Sequence, residues 1–241
     1  MSATPIIAAL FVLLQGTTDG DLRPTQETGS KIFTQPKKNA DPALAARYSK
    51  RVAGCTYNRM GGTLIDRYLR ASDPISTNLD GVDLDWARVE QAIEFCMGYH
   101  MEEYNADVRM SRIAFNFTQN RLRALLLEEA YLAENESSIQ VAADASELTS
   151  RAFVSQGDAL KSAQGLGNFA DCVVYRDAAG ADSLLRTEPG SDQERDAARA
   201  LAPVLGICLI DGQTIEFTAA SIRAIAADGL WSRAAYGSKE G

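Results

Sequence analysis

Four cysteines, Cys55, Cys96, Cys172 and Cys208, are the residues whose type and spacing most plainly invite chemistry. They lie in two stretches that carry the same residues in the same order. In the first, Cys55 is followed by Arg59, Leu69-Arg70, Pro74, Cys96, Phe117-Thr118 and Arg123-Ala124-Leu125. In the second, Cys172 is followed by Arg176, Leu185-Arg186, Pro189, Cys208, Phe217-Thr218 and Arg223-Ala224-Ile225. A zinc site would use Cys-x-x-Cys or paired Cys/His spacings, and none is present. A catalytic thiol would need a base, and a single histidine cannot serve four cysteines. Four cysteines allow three connectivities. The duplication favours Cys55–Cys96 and Cys172–Cys208, each bond closing its own copy and stabilising it by roughly 4 kcal/mol in the chain-entropy model. The alternative is four buried, reduced thiols.

His100 is the sole histidine, which excludes a three-histidine metal site and reads as a bystander on an insert. That insert separates the copies. Twenty residues lie between Cys96 and Phe117, but eight between Cys208 and Phe217. The excess holds Tyr99, His100, Glu102, Glu103, Tyr104 and Asp107, and its carboxylates are candidates for paired acid and base work of the glycosidase kind. A longer third helix is the simpler reading. The run Gly165-Leu166-Gly167 lacks the third glycine of a dinucleotide fingerprint and reads as a helix break. The arginines recur at matched offsets: Arg59 with Arg176, Arg70 with Arg186, Arg123 with Arg223. Their expected role is structural, capping carbonyls and covering apolar surface. Binding a small anion between the copies is the other.

The elements that must position these residues read as helices. Alanine and leucine are abundant, aromatic residues make up 7% of the chain, and 46% of the 241 residues are apolar. The fold class expected is all-α: two tandem pseudo-symmetric units, over 41–134 and 161–237, with a connector at 135–160. Asp41-Pro42 is an N-cap followed by proline at the first helical position. Each first helix should end near its cysteine, and a proline turn should close each second helix. Ser191 and Glu194 have capping-box spacing, and the matching helix of the first copy should open at Asp83. Trp86, Val89, Ile93 and Cys96 share one helical face, as do Ala198, Leu201, Leu205 and Cys208. Pro203 should kink or shorten its helix. Thr118 and Thr218 cap the last helices. A connecting helix is expected after Thr149.

At the amino terminus, Ile6 to Leu14 is an apolar run of export-signal length, followed by small polar residues, although no Lys or Arg precedes Arg23. Residues 1–16 are therefore expected to be a signal segment, and 17–40 a disordered tether. Nothing later is long and apolar enough to cross a bilayer. A net charge of −8, with the cations scattered among carboxylates, argues against nucleic acid, a helix-turn-helix DNA binder included, and against anionic lipid.

The second copy resembles a unit found in alphaproteobacterial envelope proteins of unassigned activity. The residues that carry the likeness are Phe169-Ala170-Asp171-Cys172-Val173-Val174, Leu184 to Ser191, Cys208 and Phe217; the first copy matches loosely. The resemblance implies secretion and a helical fold, and no site residue follows from it. The reading as a whole is an exported, soluble interaction module without catalytic activity, in the periplasm or medium. It uses no metal and no cofactor, and binds a protein or a small anionic ligand. The alternative is an envelope hydrolase, or its regulator, using the carboxylates of 99–107.

Overall fold

The computed structural model describes residues 41–79, 86–108, 119–142, 144–209 and 217–237. The expected signal segment and tether, Asp83 and Thr118 lie outside them, as do the side chains of Glu102, Glu103, Tyr104 and Asp107. Among the described residues every regular element is a helix: α1 (Pro42–Met60), α2 (Gly62–Arg70), α3 (Trp86–Val108), α4 (Gln119–Glu134), α5 (Gly157–Leu185), α6 (Asp192–Ala200), α7 (Ala202–Cys208) and α8 (Ala219–Tyr236). The all-α fold is as the composition predicts.

Local chemistry sets most of the boundaries. Asp41 accepts from Ala43 N–H at 3.0 Å and opens α1. Gly61, with φ +79, separates α1 from α2 in a conformation that a side chain would oppose. Ser191 accepts from Glu194 N–H at 3.1 Å, and the Glu194 carboxylate reaches back to Gly190 N–H, one residue before the cap. Thr218 and Ser221 form a reciprocal capping box. Pro203 sits in the first turn of α7, and α6 stops at Ala200 just before it.

Three expectations need correction. The first helices do not end near their cysteines: α1 continues past Cys55 to Met60, and α5 runs through Cys172 to Leu185, with one non-helical residue, Asp177 (φ −151, ψ 71). Gly165-Leu166-Gly167 is not a break but lies within α5. Gly167 is there for closeness, since a β-carbon would lie 2.8 Å from the Phe153 ring. Finally, no separate helix follows Thr149. The chain stays non-helical to Gln156, because side chains claim its backbone donors. Asp171 takes Thr149 N–H at 2.8 Å, and Asp73 takes Val154 and Ser155 N–H at 2.9 and 2.7 Å.

One apolar cluster joins both copies. It contains Ile65, Tyr68 and Leu69 of α2, Leu126, Leu127 and Tyr131 of α4, Val173, Val174, Leu184 and Leu185 of α5, Leu201 between α6 and α7, Leu205 of α7, and Ile225, Leu230 and Trp231 of α8. The α8 helix packs against both α5 and α4. A second, small cluster consists of Tyr48 and Val52 of α1 and Cys96 of α3. Small residues let α5 and α8 approach closely. A β-carbon at Gly229 would lie 2.3 Å from the Ala170 carbonyl oxygen and 2.7 Å from Val174 Cγ2. Gly229→Ala is therefore expected to cost about 1–3 kcal/mol by forcing the helices apart. An unchanged urea midpoint would show that the pair has room to spare.

Candidate functional site

The cysteines pair within each copy. Cys55–Cys96 has an S–S distance of 1.99 Å and Cys172–Cys208 one of 2.05 Å, with Cα atoms 5.7 and 5.9 Å apart. The first bond ties α1 to α3, and the second ties α5 to the end of α7.

The repeated arginines converge on the interface between α4 and α8. Arg123 of α4 lies 2.7 Å from Asp228 of α8, and Arg223 of α8 lies 2.7 Å from Glu128 of α4. Each arginine thus pairs with the carboxylate five residues beyond its counterpart, and all four side chains are at most 8% exposed. Each also grips the end of a second helix through a hydroxyl. Arg123 Nε donates to Ser72 Oγ, which donates to Leu69 O; Arg223 Nη1 donates to Thr187 Oγ1, which donates to Leu184 O. Arg223 further donates to Leu184 O, Leu185 O and Thr187 O, capping α5.

A second cation joins each carboxylate. Lys50 of α1 reaches Glu128 and Glu129, while Arg151 reaches Asp228 at 2.6 Å and also pairs with Asp171. Glu194 completes the set on Arg223 at 3.2 Å. Burial by itself would push the Asp228 carboxyl up, but Arg151 and Arg123 together hold it below the ordinary carboxylate value. Burial likewise opposes the charge of Arg223, and Glu128 and Glu194 outweigh it, raising that guanidinium further. Glu129 goes the other way, raised chiefly by burial despite Lys50. These arginines are enclosed and neutralised, so they do not form an anion site.

The other repeated arginines lie nearer the surface. Arg70 and Arg186 each bond the aspartate four residues earlier, Asp66 at 2.8 Å and Asp182 at 2.7 Å. Arg70 also lies over the rings of Tyr236 and Trp231, at 4.9 and 5.8 Å. There the carboxyl-terminal ends of α4 and α8 meet at a cleft of ≈ 230 Å³, lined by Asp66, Arg70, Tyr131, Glu134, Asn135 and Trp231 among others. Tyr131 donates to Asp182 at 2.9 Å, and burial first, then that bond, pushes its phenol up to about 12. Arg176 meets Glu147 at 3.6 Å at the surface.

Within the insert, residues 97–108 continue α3, and 109–116 lie outside the described residues. At its start, described side chains of α3 form an exposed aromatic stack. Phe95 and Tyr99 are 50% and 65% exposed and lie parallel, with ring centroids 6.4 Å apart. Arg59 of α1 sits 3.8 Å from the Phe95 centroid, and His100 meets Tyr99 edge-on at 5.1 Å. Of the residues singled out from the sequence, the structure therefore joins Arg59 with Tyr99 and His100, and Arg123 with Arg223 through their carboxylates. Sequence reasoning missed Glu128, Asp228, Lys50 and Arg151. The signal for the first two was present, as a carboxylate five residues after Arg123 and after Arg223. It also missed Phe95, which occupies the position before Cys96.

Among the described residues, no group of three His, Cys, Asp or Glu side chains is gathered as a metal would need. No described helix is long and apolar enough to cross a membrane. No protein-family model matches the chain, and neither does any curated protein or any solved structure.

Proposed function

We propose that this chain is an exported interaction module, built from two copies of one helical unit and acting by binding a protein rather than by catalysis. The observation that carries the reading is the exposed Arg59–Phe95–Tyr99 stack. Stacked aromatics beside arginine are the side chains most often found at the centre of protein interfaces. This stack is held on a helix fastened by a disulfide, so its shape is set before a partner arrives. The two disulfides favour an oxidising compartment, periplasm or medium, in keeping with the apolar run at Ile6 to Leu14 and the likeness to alphaproteobacterial envelope proteins. The reciprocal pairing of Arg123 and Arg223 supports a duplicated unit whose copies face one another about a pseudo-twofold axis.

Two measurements test this. Non-reducing mass mapping of the chain recovered from envelope and medium fractions should find both disulfides there, together with a new amino terminus near residue 16. Recovery only in the cytoplasm with four free thiols would defeat the export reading. A photo-crosslinking residue at position 99 should give one discrete protein adduct that Phe95→Ser removes. A smear of adducts unaffected by Phe95→Ser would defeat the interface.

A further inference from the structure

The two disulfides stand in different mechanical settings. Cys172 is buried on α5 next in sequence to Val173 and Val174 of the main cluster, and Cys208 packs against that cluster, to which Leu205 of its helix belongs. Ala198 and Leu201 anchor α6 beside it. If the Cys172–Cys208 bond opens, α6 and α7 still have apolar ground to stand on.

The α3 helix does not have such support. Its principal helix partner among the described residues is α1. The apolar seam between them is the small cluster of Tyr48, Val52 and Cys96, edged by Leu44, Cys55 and Met97. Val89 and Ala92 are buried as well, and Ile93 touches the rim of the main cluster. Beyond that, Tyr48 donates to Met97 O at 2.7 Å, and Arg59 covers Phe95. In turn, α1 is seated on the body of the fold by Tyr57 and Met60, which pack against the main cluster, and by polar contacts of Lys50 with Glu128 and Glu129 and of Ser49 with Arg121. Among the described residues, that apolar seam is short for a 23-residue helix. The Cys55–Cys96 bond, closing a separation of 41 residues, is the strongest constraint on α3.

We infer that Cys55–Cys96 is a redox latch: its reduction releases α3 from α1 while the body of the fold, centred on α4, α5 and α8, stays assembled. The reductant is a dithiol. One of its thiolates attacks the sulfur of Cys55, which is the more accessible partner because Cys96 is fully buried. The S–S bond breaks, and Cys96 leaves as a thiolate and takes a proton. The second thiol of the reagent then attacks the mixed disulfide and expels Cys55. The dithiol ends as a disulfide, and the two cysteines have gained two electrons and two protons. The latch concerns α3 alone and holds whether or not the stack on it binds a partner.

Hydrogen exchange read by mass spectrometry on the full chain tests it, with dithiothreitol as the dithiol and with two alanine pairs as controls. In Cys55→Ala/Cys96→Ala, and in the reduced chain, amides of α3 should exchange faster by on the order of a hundredfold, with α4, α5 and α8 unchanged. In Cys172→Ala/Cys208→Ala, α3 should keep its protection. The inference is overturned if α3 exchanges equally slowly with Cys55–Cys96 open. It is equally overturned if all helices lose protection together, since the bond would then support the whole fold and latch nothing.

Discussion

Replacing Arg223 with methionine is expected to cost the fold about 3–5 kcal/mol, the range for removing one partner from a buried ion pair. Methionine matches the length of the arginine stem and keeps its apolar cover, so the loss is one of charge and hydrogen bonds. Glu194 would be left at 4% exposure without its cation, and Glu128 with Lys50 alone. Three carbonyls at the end of α5, Leu184, Leu185 and Thr187, would lose their donor in the same step. Arg223→Lys should recover only a part, because an ammonium cannot reach two carboxylates and three carbonyls at once. Adding Glu128→Gln to Arg223→Met should return some stability by removing an orphaned charge. Urea unfolding at constant slope is the measurement. A loss under about 1 kcal/mol would mean that the network is slack.

Asp228→Asn should be of similar size, and it carries a pH signature. The amide leaves Arg123 and Arg151 facing each other across a site with only Asp171 to balance them. In the wild type the two guanidinium groups hold the Asp228 carboxyl below its unfolded value of about 3.9. A carboxyl depressed in the folded state contributes stability that is fully present above the unfolded value and is lost as pH falls through the folded one. The difference between wild type and Asp228→Asn should therefore be flat at neutral pH and shrink below about pH 4. Glu129 has the opposite sign. Raised by burial, it favours its protonated form in the fold and weakens the protein as pH rises through its own value. A gap between wild type and variant that stays constant down to pH 2 would remove Asp228 as the source of the acid loss.

What could be read before folding was whatever depends on a few neighbouring residues. Asp41, Ser191 and Thr218 cap the helices they precede, and Pro203 divides α6 from α7 by sitting in the first turn of the latter, because those effects are decided within a single turn. The cysteine pairing was also legible, since the like order of residues in the two stretches favours one of the three connectivities that four thiols leave. Matters settled by distant partners were not. A glycine in a helical stretch can mark a break or a close approach, and at Gly167 it was the ring of Phe153 that decided. The segment after Thr149 has the composition of a helix, yet Asp73 and Asp171 take its donors first. The arginines were recognised as structural from their repetition, while the partners that explain them lie on the opposite helix. The exposed stack at Phe95 and Tyr99 depends on what fails to cover it, and periodicity carries no such information.

The exchange of charges between α4 and α8 also bears on the order in which the molecule can be made. Glu128 is separated from Arg223 by 95 residues, and α8 lies downstream of every other helix described. At about 5–20 residues per second, a ribosome leaves roughly 5–20 s between the two. During that interval Glu128 lacks its bidentate partner and Arg123 lacks Asp228, so closing the core early would bury both without them. The native arrangement is accordingly withheld until the last helix has emerged. For the export proposed above, that delay is a timer written into the chain's own ion pairs.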